Sequence, residues 1–133
     1  MAKMNPVVHF EMPAEDKNRM AEFYTKAFGW QMQHLGPEMG EYVLVTTSEV
    51  GEDKFPKQRG TINGGFYKKS DNASPNPSVV IAVDDINESI EKIKKAGGKI
   101  VGEPVDIPGV GKYVSFKDSE NNWLSILQPL PMP

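Results

Sequence analysis

The stretch VVHFEMPAEDKNRMAEFYTKAFG, residues 7–29, decides the fold. It predicts a strand, a short turn and an amphipathic helix that ends at a glycine, because apolar residues first alternate and then recur at helical spacing. Strand side chains alternate between the two faces of a sheet. Phe10 and Met12 are therefore expected to pack on the helix. His9 and Glu11 are expected to point to the opposite face.

The same pattern returns 69 positions later in SVVIAVDDINESIEKIKKAGG, residues 78–98. The two stretches superimpose without a gap, and His9 then falls on Ser78. A repeat of this length is too long for the common solenoid units and indicates two related modules. Alternating segments after each helix predict three more strands, so the predicted order is βαβββ twice. We predict one domain over residues 1–133, divided in chain order into module one at 5–67, a linker at 68–77 and module two at 78–128.

Composition and charge restrict the classes of partner. The chain has 133 residues, 38% hydrophobic and 25% charged, as in a folded globular domain. A net charge of −3 without a basic cluster gives no reason to expect nucleic acid. The lack of cysteine excludes disulfides, thiolate metal sites and a cysteine nucleophile. No apolar run approaches the ~20 residues of a membrane span, and no signal-peptide core is present. We therefore expect no membrane partner and a cytoplasmic location.

Four segments of the chain resemble the vicinal oxygen chelate superfamily, which includes glyoxalase I, the bleomycin-resistance proteins and the extradiol dioxygenases. The most specific features are the FYTKAFGW helix end, the VDDI helix start and the DSENN turn, which is similar to the family's Asp-Pro-Glu-Gly-Asn. The small, single-chain glyoxalase-related branch is the most similar. The segments cover nearly the whole chain and are residues 7–30, residues 79–101, residues 107–122 and the closing strand.

The resemblance implies a fold, a site and an assembly. It implies an α+β fold in which two βαβββ modules form a curled mixed sheet around a central cavity, in the manner of the glyoxalase/bleomycin-resistance proteins. It also implies a small-molecule ligand in that cavity, and often a homodimer. By analogy with His9, the face of the last strand that carries Trp123 and Ser125 is expected to look into the cavity. Trp123 would either stack on a ligand or fill space.

Metal-dependent members of the family place ligands, typically His or Gln and Glu, on the first and last strand of each module. His9 occupies the first of these positions, and Ser78 and Ser125 occupy two others. The fourth falls near Gly64 or Gly65, a pair that also suggests close approach of another group to the backbone. Serine hydroxyls are poor ligands for divalent metals beside His and carboxylate. We therefore expect no resident metal. The alternative is a divalent ion, Zn²⁺, Ni²⁺, Mn²⁺ or Fe²⁺, that has His9 as its ligand.

His9 and Glu11 are the candidate catalytic residues. Three roles stay open for His9. It is a cavity histidine that contacts no ligand, a residue that orients a bound small molecule, or a ligand of a metal ion. Glu11 is a base with a raised pKa, as a carboxyl group in a cleft can be, or a partner in a structural hydrogen bond. Lys112 is a further polar candidate. The residues expected to contact a ligand are His9, Tyr42, Asn63, Phe66, Ser78, Tyr113, Trp123 and Ser125.

Three functions follow from these expectations. The first is small-molecule binding without an intact metal site. The second is a metal-dependent lyase or isomerase of the glyoxalase I type, or a dioxygenase-related enzyme, which uses His9 and Glu11 on a small oxygenated substrate. The third is sequestration of a drug-like compound between aromatic walls formed by Trp123 and Phe66.

Overall fold

The computed structural model describes residues 3–53 and 56–131, so positions 54–55 of the predicted module one lie outside the described residues. The α+β fold with the order βαβββ twice is confirmed, and a short 3-10 helix, Pro37–Met39, follows the second strand. No helix in the described part of the chain is long and apolar enough to cross a membrane. The helices and strands are β1 Val7–Ala14, α1 Lys17–Phe28, β2 Gln31–His34, β3 Val43–Thr46, β4 Asn63–Lys68, β5 Ser78–Ala82, α2 Ile86–Lys95, β6 Lys99–Ile107, β7 Gly111–Lys117 and β8 Trp123–Pro129.

The chain divides into two compact units that repeat one topology. The first unit is His9–Pro77, with strand order β2-β3-β4-β1; β1 and β4 run parallel and the other pairs run antiparallel. The second unit combines Met1–Val8 with Ser78–Pro133 and has the order β5-β8-β7-β6, with β5 and β8 parallel. The second unit therefore repeats the strand order and strand directions of the first, as the sequence repeat predicts.

The core of the first unit lies between its strands and α1. The Asp16 side chain caps the helix by accepting hydrogen bonds from the backbone N–H groups of Asn18 and Arg19. The helix ends at Gly29, which has a φ of 73° and so adopts the left-handed conformation that glycine tolerates. The residues that pack here include Phe10, Met12, Met20, Tyr24, Trp30, Val43, Val45 and Phe66.

Phe66 belongs to this core and does not line the opposite face. Its side chain is 1% exposed, and its ring centroid lies 5.7 Å from that of Tyr24 in α1. The prediction that Phe66 contacts a ligand is wrong because neighbouring strand residues alternate. Phe66 faces the helix, and its neighbours Gly65 and Tyr67 point the other way.

The second unit has an equivalent core beneath α2. Asp85 is the N-cap, and its Oδ1 accepts a hydrogen bond from the backbone N–H of Glu88 at 3.1 Å. Apolar residues of α2 pack with buried residues of β7 and β8, as their helical and strand periodicities predict. The buried members are Val83, Ile86, Ile90, Val114, Phe116 and Ile126.

Strand β6 runs further than its proline predicts. The sequence indicates an end at Val105 because Pro104 cannot donate to a ladder. In the structure β6 continues to Ile107, and its pairing with β7 shifts register between Val101 and Val105. Pro104 lies inside that irregularity, where no ladder hydrogen bond is required of its nitrogen. Gly102, with a φ of 79°, supplies the backbone conformation that the irregularity needs.

Candidate functional site

Three polar side chains meet on the face of β1 that points away from the core of the first unit. His9 and Glu11 lie two residues apart in the strand, and Tyr42 immediately precedes β3. The Tyr42 hydroxyl oxygen lies 3.1 Å from His9 Nε2 and 3.1 Å from Glu11 Oε2. Glu11 is 8% exposed, so its carboxyl group is buried, while Tyr42 is partly buried. We call this face of β1, with Tyr42, the His9 face.

The hydrogen bonds of Tyr42 define the tautomer of His9. A phenol carries one proton, and Tyr42 donates it to Glu11 Oε2. With Glu11 ionised, this arrangement assigns the Nε2–H tautomer to His9, in which Nε2 donates to the Tyr42 oxygen and the lone pair of the neutral ring lies on Nδ1. Burial lowers the pKa of His9 from 6.5 to about 4, because desolvation disfavours the charged imidazolium. At pH 7 His9 is therefore neutral.

Gly65 makes room for the Tyr42 ring. It pairs with Glu11 across β1 and β4, and a Cβ atom at this position would overlap the Tyr42 phenol. The neighbouring Gly64 is covered in the same way by the backbone oxygen and ring of Phe10. Another group thus lies close to the backbone at both glycines, as the sequence predicts. The group at Gly65, Tyr42, belongs to the His9 face.

The second unit carries a cluster of hydroxyl groups. Tyr113 Oη and Ser125 Oγ are 2.7 Å apart, and Ser115 Oγ lies 3.1 Å from the same serine oxygen. Ser125 is 3% exposed, so its hydroxyl is buried and its hydrogen-bonding capacity is used within the cluster. The cluster lies on the face of β7 and β8 opposite the core, where the alternation of Ser125 with Leu124 and Ile126 predicts it.

Strand pairing shows which positions of the two units correspond. Glu11 pairs with Gly65 in the first unit, and Val80, its counterpart in the repeat, pairs with Ser125 in the second. Gly65, rather than Gly64, is therefore the counterpart of Ser125.

The same reasoning applies to the third strand of each module. Val43 pairs with Phe66 and Val114 pairs with Ile126. The residues just before Val43 and Val114, Tyr42 and Tyr113, are therefore counterparts as well. Each tyrosine covers the same position of its module's last strand.

Other predicted site residues have more specific surroundings. Asn63 Oδ1 accepts hydrogen bonds from the backbone N–H groups of Thr47 and Ser48 at 2.8 and 3.2 Å, so this oxygen fastens the chain that leaves β3. Ser78 begins β5 and is partly buried. Lys112 is exposed and alternates with Tyr113, so it lies on the opposite face of β7 from the hydroxyl cluster.

Trp123 combines a buried donor with a nearby cation. Its Nε1 atom is buried and has no hydrogen-bond partner among the residues that the structure describes. Lys117 Nζ lies 5.0 Å from the centroid of its ring, within the range of a cation–π interaction.

Sequence reasoning missed Lys117 and Ser115 as site residues, although both alternate in phase with Tyr113. Lys99, which pairs with Lys117, had no signal in the sequence.

The donor set does not fit a resident divalent metal. Across residues 3–53 and 56–131 no three His, Cys, Asp or Glu side chains come together as a metal-binding group. Of the four ligand positions that the resemblance implies, Gly65 has no side chain, and Ser78 and Ser125 offer hydroxyls. Among these four positions only His9 offers a good ligand for a divalent metal, and its Nε2 lies 3.1 Å from the Tyr42 hydroxyl oxygen.

Comparison with known proteins establishes the family. The model of the Glyoxalase/Bleomycin resistance protein/Dioxygenase superfamily matches residues 7–126, and the chain belongs to this superfamily. A probable chloroplastic lactoylglutathione lyase of Arabidopsis thaliana is 30% identical over 91% of this chain and 35% of its own length. A glyoxylase-like domain-containing protein of Didymella fabae is 31% identical over 84% of each chain. The chain thus spans about a third of the length of the plant relative.

A solved structure shows the same fold. Methylmalonyl-CoA epimerase of Streptomyces coelicolor, in complex with 2-nitronate-propionyl-CoA, is similar with a TM-score of 0.69 at 11% identity. The similarity covers 98% of each chain. At this level of identity the likeness concerns the fold, and the function has to be argued from the residues of the site.

Proposed function

We propose that this protein binds a small oxygenated molecule at the His9 face without a resident metal ion. The observation that carries the proposal is the position of Tyr42. Its phenol lies against Gly65, the counterpart of a metal-ligand position, and engages both His9 and Glu11. The family's metal chemistry and this hydrogen-bonded arrangement make competing demands on the same side chains.

The His9 face has the chemistry of a recognition surface. A neutral His9 with the proton on Nε2 presents Nδ1 as an acceptor, so it can receive a hydrogen bond from a ligand hydroxyl. With a pKa of about 4, His9 is a weak base at neutral pH, which favours binding over proton abstraction by this residue. Tyr42 holds the imidazole in one orientation, so a ligand meets a preorganised acceptor.

The imidazole of His9 can report on binding directly. The chain has two histidines, so a His34→Gln variant leaves the ring of His9 as the only imidazole in a ¹⁵N spectrum. Titration with S-lactoylglutathione and with lactamide, in the presence of a chelator, is expected to shift the Nδ1 signal saturably. Tyr42→Phe is expected to weaken binding about tenfold, because His9 loses the hydrogen bond that orients it. Shifts that appear only after a divalent metal is added would overturn the proposal.

A lyase or isomerase is the second candidate function. The identity to a probable lactoylglutathione lyase favours it, and His9 and Glu11 are its candidate catalytic residues. Its test is turnover of the hemithioacetal of methylglyoxal and glutathione by the wild type and by His9→Ala, each with and without added Ni²⁺, Zn²⁺, Mn²⁺ or Fe²⁺. Turnover that disappears in His9→Ala supports the enzyme. Activity that survives the substitution rules out this assignment of His9.

Sequestration of a drug-like compound was the third candidate function, and one of its two proposed aromatic residues, Phe66, is not available to a ligand. Phe66 is in the core of the first unit, so it does not line the opposite face of its own sheet. The homodimer, the cytoplasmic location and the module boundaries remain predictions from the sequence and the family resemblance. The proposal about the His9 face depends on none of them.

A further inference from the structure

A row of side chains crosses three neighbouring strands of the second unit. Lys99 of β6 pairs with Lys117 of β7, and Lys117 pairs with Trp123 of β8. Residues that pair directly across antiparallel strands project from the same face. The side chains of two lysines and a tryptophan therefore project from neighbouring positions of one face. We call Lys99, Lys117 and Trp123 the cationic row.

The second unit does not neutralise this charge. Like charges directly opposite each other destabilise a sheet. Within the described ranges 3–53 and 56–131, neither lysine of the row has a carboxylate at ion-pair distance. Asp118 follows Lys117 in the chain, but its carboxylate stabilises the turn after β7. Its Oδ1 accepts hydrogen bonds from the backbone N–H groups of Glu120 and Asn122 at 2.8 and 2.9 Å.

The indole of the row lacks an acceptor. Trp123 Nε1 is buried and unpartnered in the described part of the chain, and a buried donor without a partner is destabilising. Lys117 Nζ is 5.0 Å from the same ring, so a cation and an unused N–H donor lie close together. The next row of the same face carries the hydroxyls of Ser115 and Ser125. The corner of the sheet is rich in donors.

We propose that the cationic row is a subsite for the carboxylate group of a small molecule. One carboxylate oxygen pairs with the Lys117 ammonium, and Lys99 adds a second positive charge. The other oxygen accepts a hydrogen bond from the Trp123 indole N–H once the ligand displaces the side chains that cover it. A carboxylate is the matching group because it supplies two acceptor oxygens and the missing negative charge at once. This subsite goes beyond the proposed function, which rests on side chains of the first unit.

The two tryptophans make the subsite directly observable. Trp30 and Trp123 give two indole N–H signals in a ¹H–¹⁵N correlation spectrum, and Trp123→Phe assigns them. The probes are mandelate and lactate, each compared with its neutral amide, mandelamide or lactamide. Both carboxylates are expected to move the Trp123 signal saturably, and each amide is expected to bind at least about tenfold more weakly. The Trp30 signal is expected to stay in place.

Lysine variants test the charge. Lys117→Met keeps the length of the side chain and is expected to weaken the carboxylate response about tenfold or more. Lys112→Met is the matched control, because Lys112 lies on the opposite face of the same strand, and it is expected to bind as the wild type does. Equal affinity for carboxylate and amide, an unchanged response in Lys117→Met, or a Trp123 signal that no carboxylate moves would each overturn the subsite.

The outcomes separate this subsite from the proposed function. A Lys117-dependent shift of Trp123 with no ligand response at the His9 imidazole would support the subsite and contradict the proposed function. A ligand response at His9 with a motionless Trp123 signal would do the reverse. Higher ionic strength is expected to weaken the Trp123 response, since the row acts mainly through charge.

Discussion

A single missing side chain shapes the His9 face. Gly65 gives the Tyr42 phenol its place, so Gly65→Ala is expected to force the ring away or to shift β4. Overpacking of this kind costs about 1–3 kcal/mol. In a Tyr42→Ala background the same substitution is expected to cost far less, because the ring is gone. Urea unfolding of the two single variants and the double variant measures this coupling. Additive effects would show that Tyr42 and Gly65 do not depend on each other.

Protonation of His9 links the site to stability. Its pKa is about 4 in the folded protein and 6.5 in the reference state, so the unfolded chain binds the proton more readily between these values. Folding stability therefore rises with pH from about 4 to 6.5, and the contribution from His9 is complete above that window. It amounts to up to about 3 kcal/mol.

The carboxyl groups of the chain also make stability depend on pH in acid. A comparison of His9→Gln with the wild type separates the contribution of His9 from theirs. Urea unfolding at pH 4.5 and pH 7 is expected to show a smaller loss of stability on acidification in His9→Gln. The His34→Gln variant is the matched control, and its pH dependence is expected to follow the wild type. An identical pH dependence in all three proteins would contradict a buried, neutral His9.

At the scale of elements, two adjacent aspartates, Asp84 and Asp85, precede α2, and one of them is its N-cap. Asp85 Oδ1 accepts from the backbone N–H of Glu88. Asp84 instead forms an exposed ion pair with Lys3 at 2.9 Å. Asp85→Ala is therefore expected to cost about 1 kcal/mol, and Asp84→Ala clearly less, since exposed pairs contribute about 0–1 kcal/mol. Thermal unfolding of both variants checks the order. A larger loss in Asp84→Ala would reverse the assignment.

The ends of helices could be predicted from the sequence, whereas the end of one strand and the pairing between strands could not. The helices follow from periodicity, a capping aspartate and a terminal glycine, all of which are local signals. The continuation of β6 beyond Val105 depends on pairing with β7, which is not local, so no local pattern in the sequence indicates it. The pairing of Lys99 with Lys117 escaped prediction for the same reason, because register between strands is set by the folded sheet.

For the whole molecule, the repeat was sufficient to predict the fold but only part of the site. Alternation along β1 and β8 correctly placed His9, Glu11 and Ser125 on the faces away from the two cores. It failed for Phe66, whose strand has a glycine pair that hides the alternation. The bond from Tyr42 to both His9 and Glu11 joins residues more than thirty positions apart. No pattern within one strand could have shown that contact.

The same contact leads to a prediction about the whole chain and metal ions. A resident metal binds the native state and stabilises it, by about 2.7 kcal/mol at a hundred times its Kd. If Tyr42 and Gly65 have replaced the family's donor set, untagged protein reloaded with Ni²⁺, Zn²⁺, Mn²⁺ or Fe²⁺ and then dialysed should retain no stoichiometric metal. Its unfolding midpoint should be the same with each ion as with a chelator.

The control for this measurement is His9→Ala, analysed in parallel. Removal of the imidazole should change neither the metal content nor the effect of added ions on the midpoint, because His9 Nε2 donates to Tyr42 instead of coordinating. About one metal ion per chain in the wild type, lost in His9→Ala together with a rise in midpoint, would require His9 to break its bond to Tyr42 on loading. The hydrogen-bonded His9 face would then be only the metal-free state of a metal enzyme, and the lyase would become the leading function.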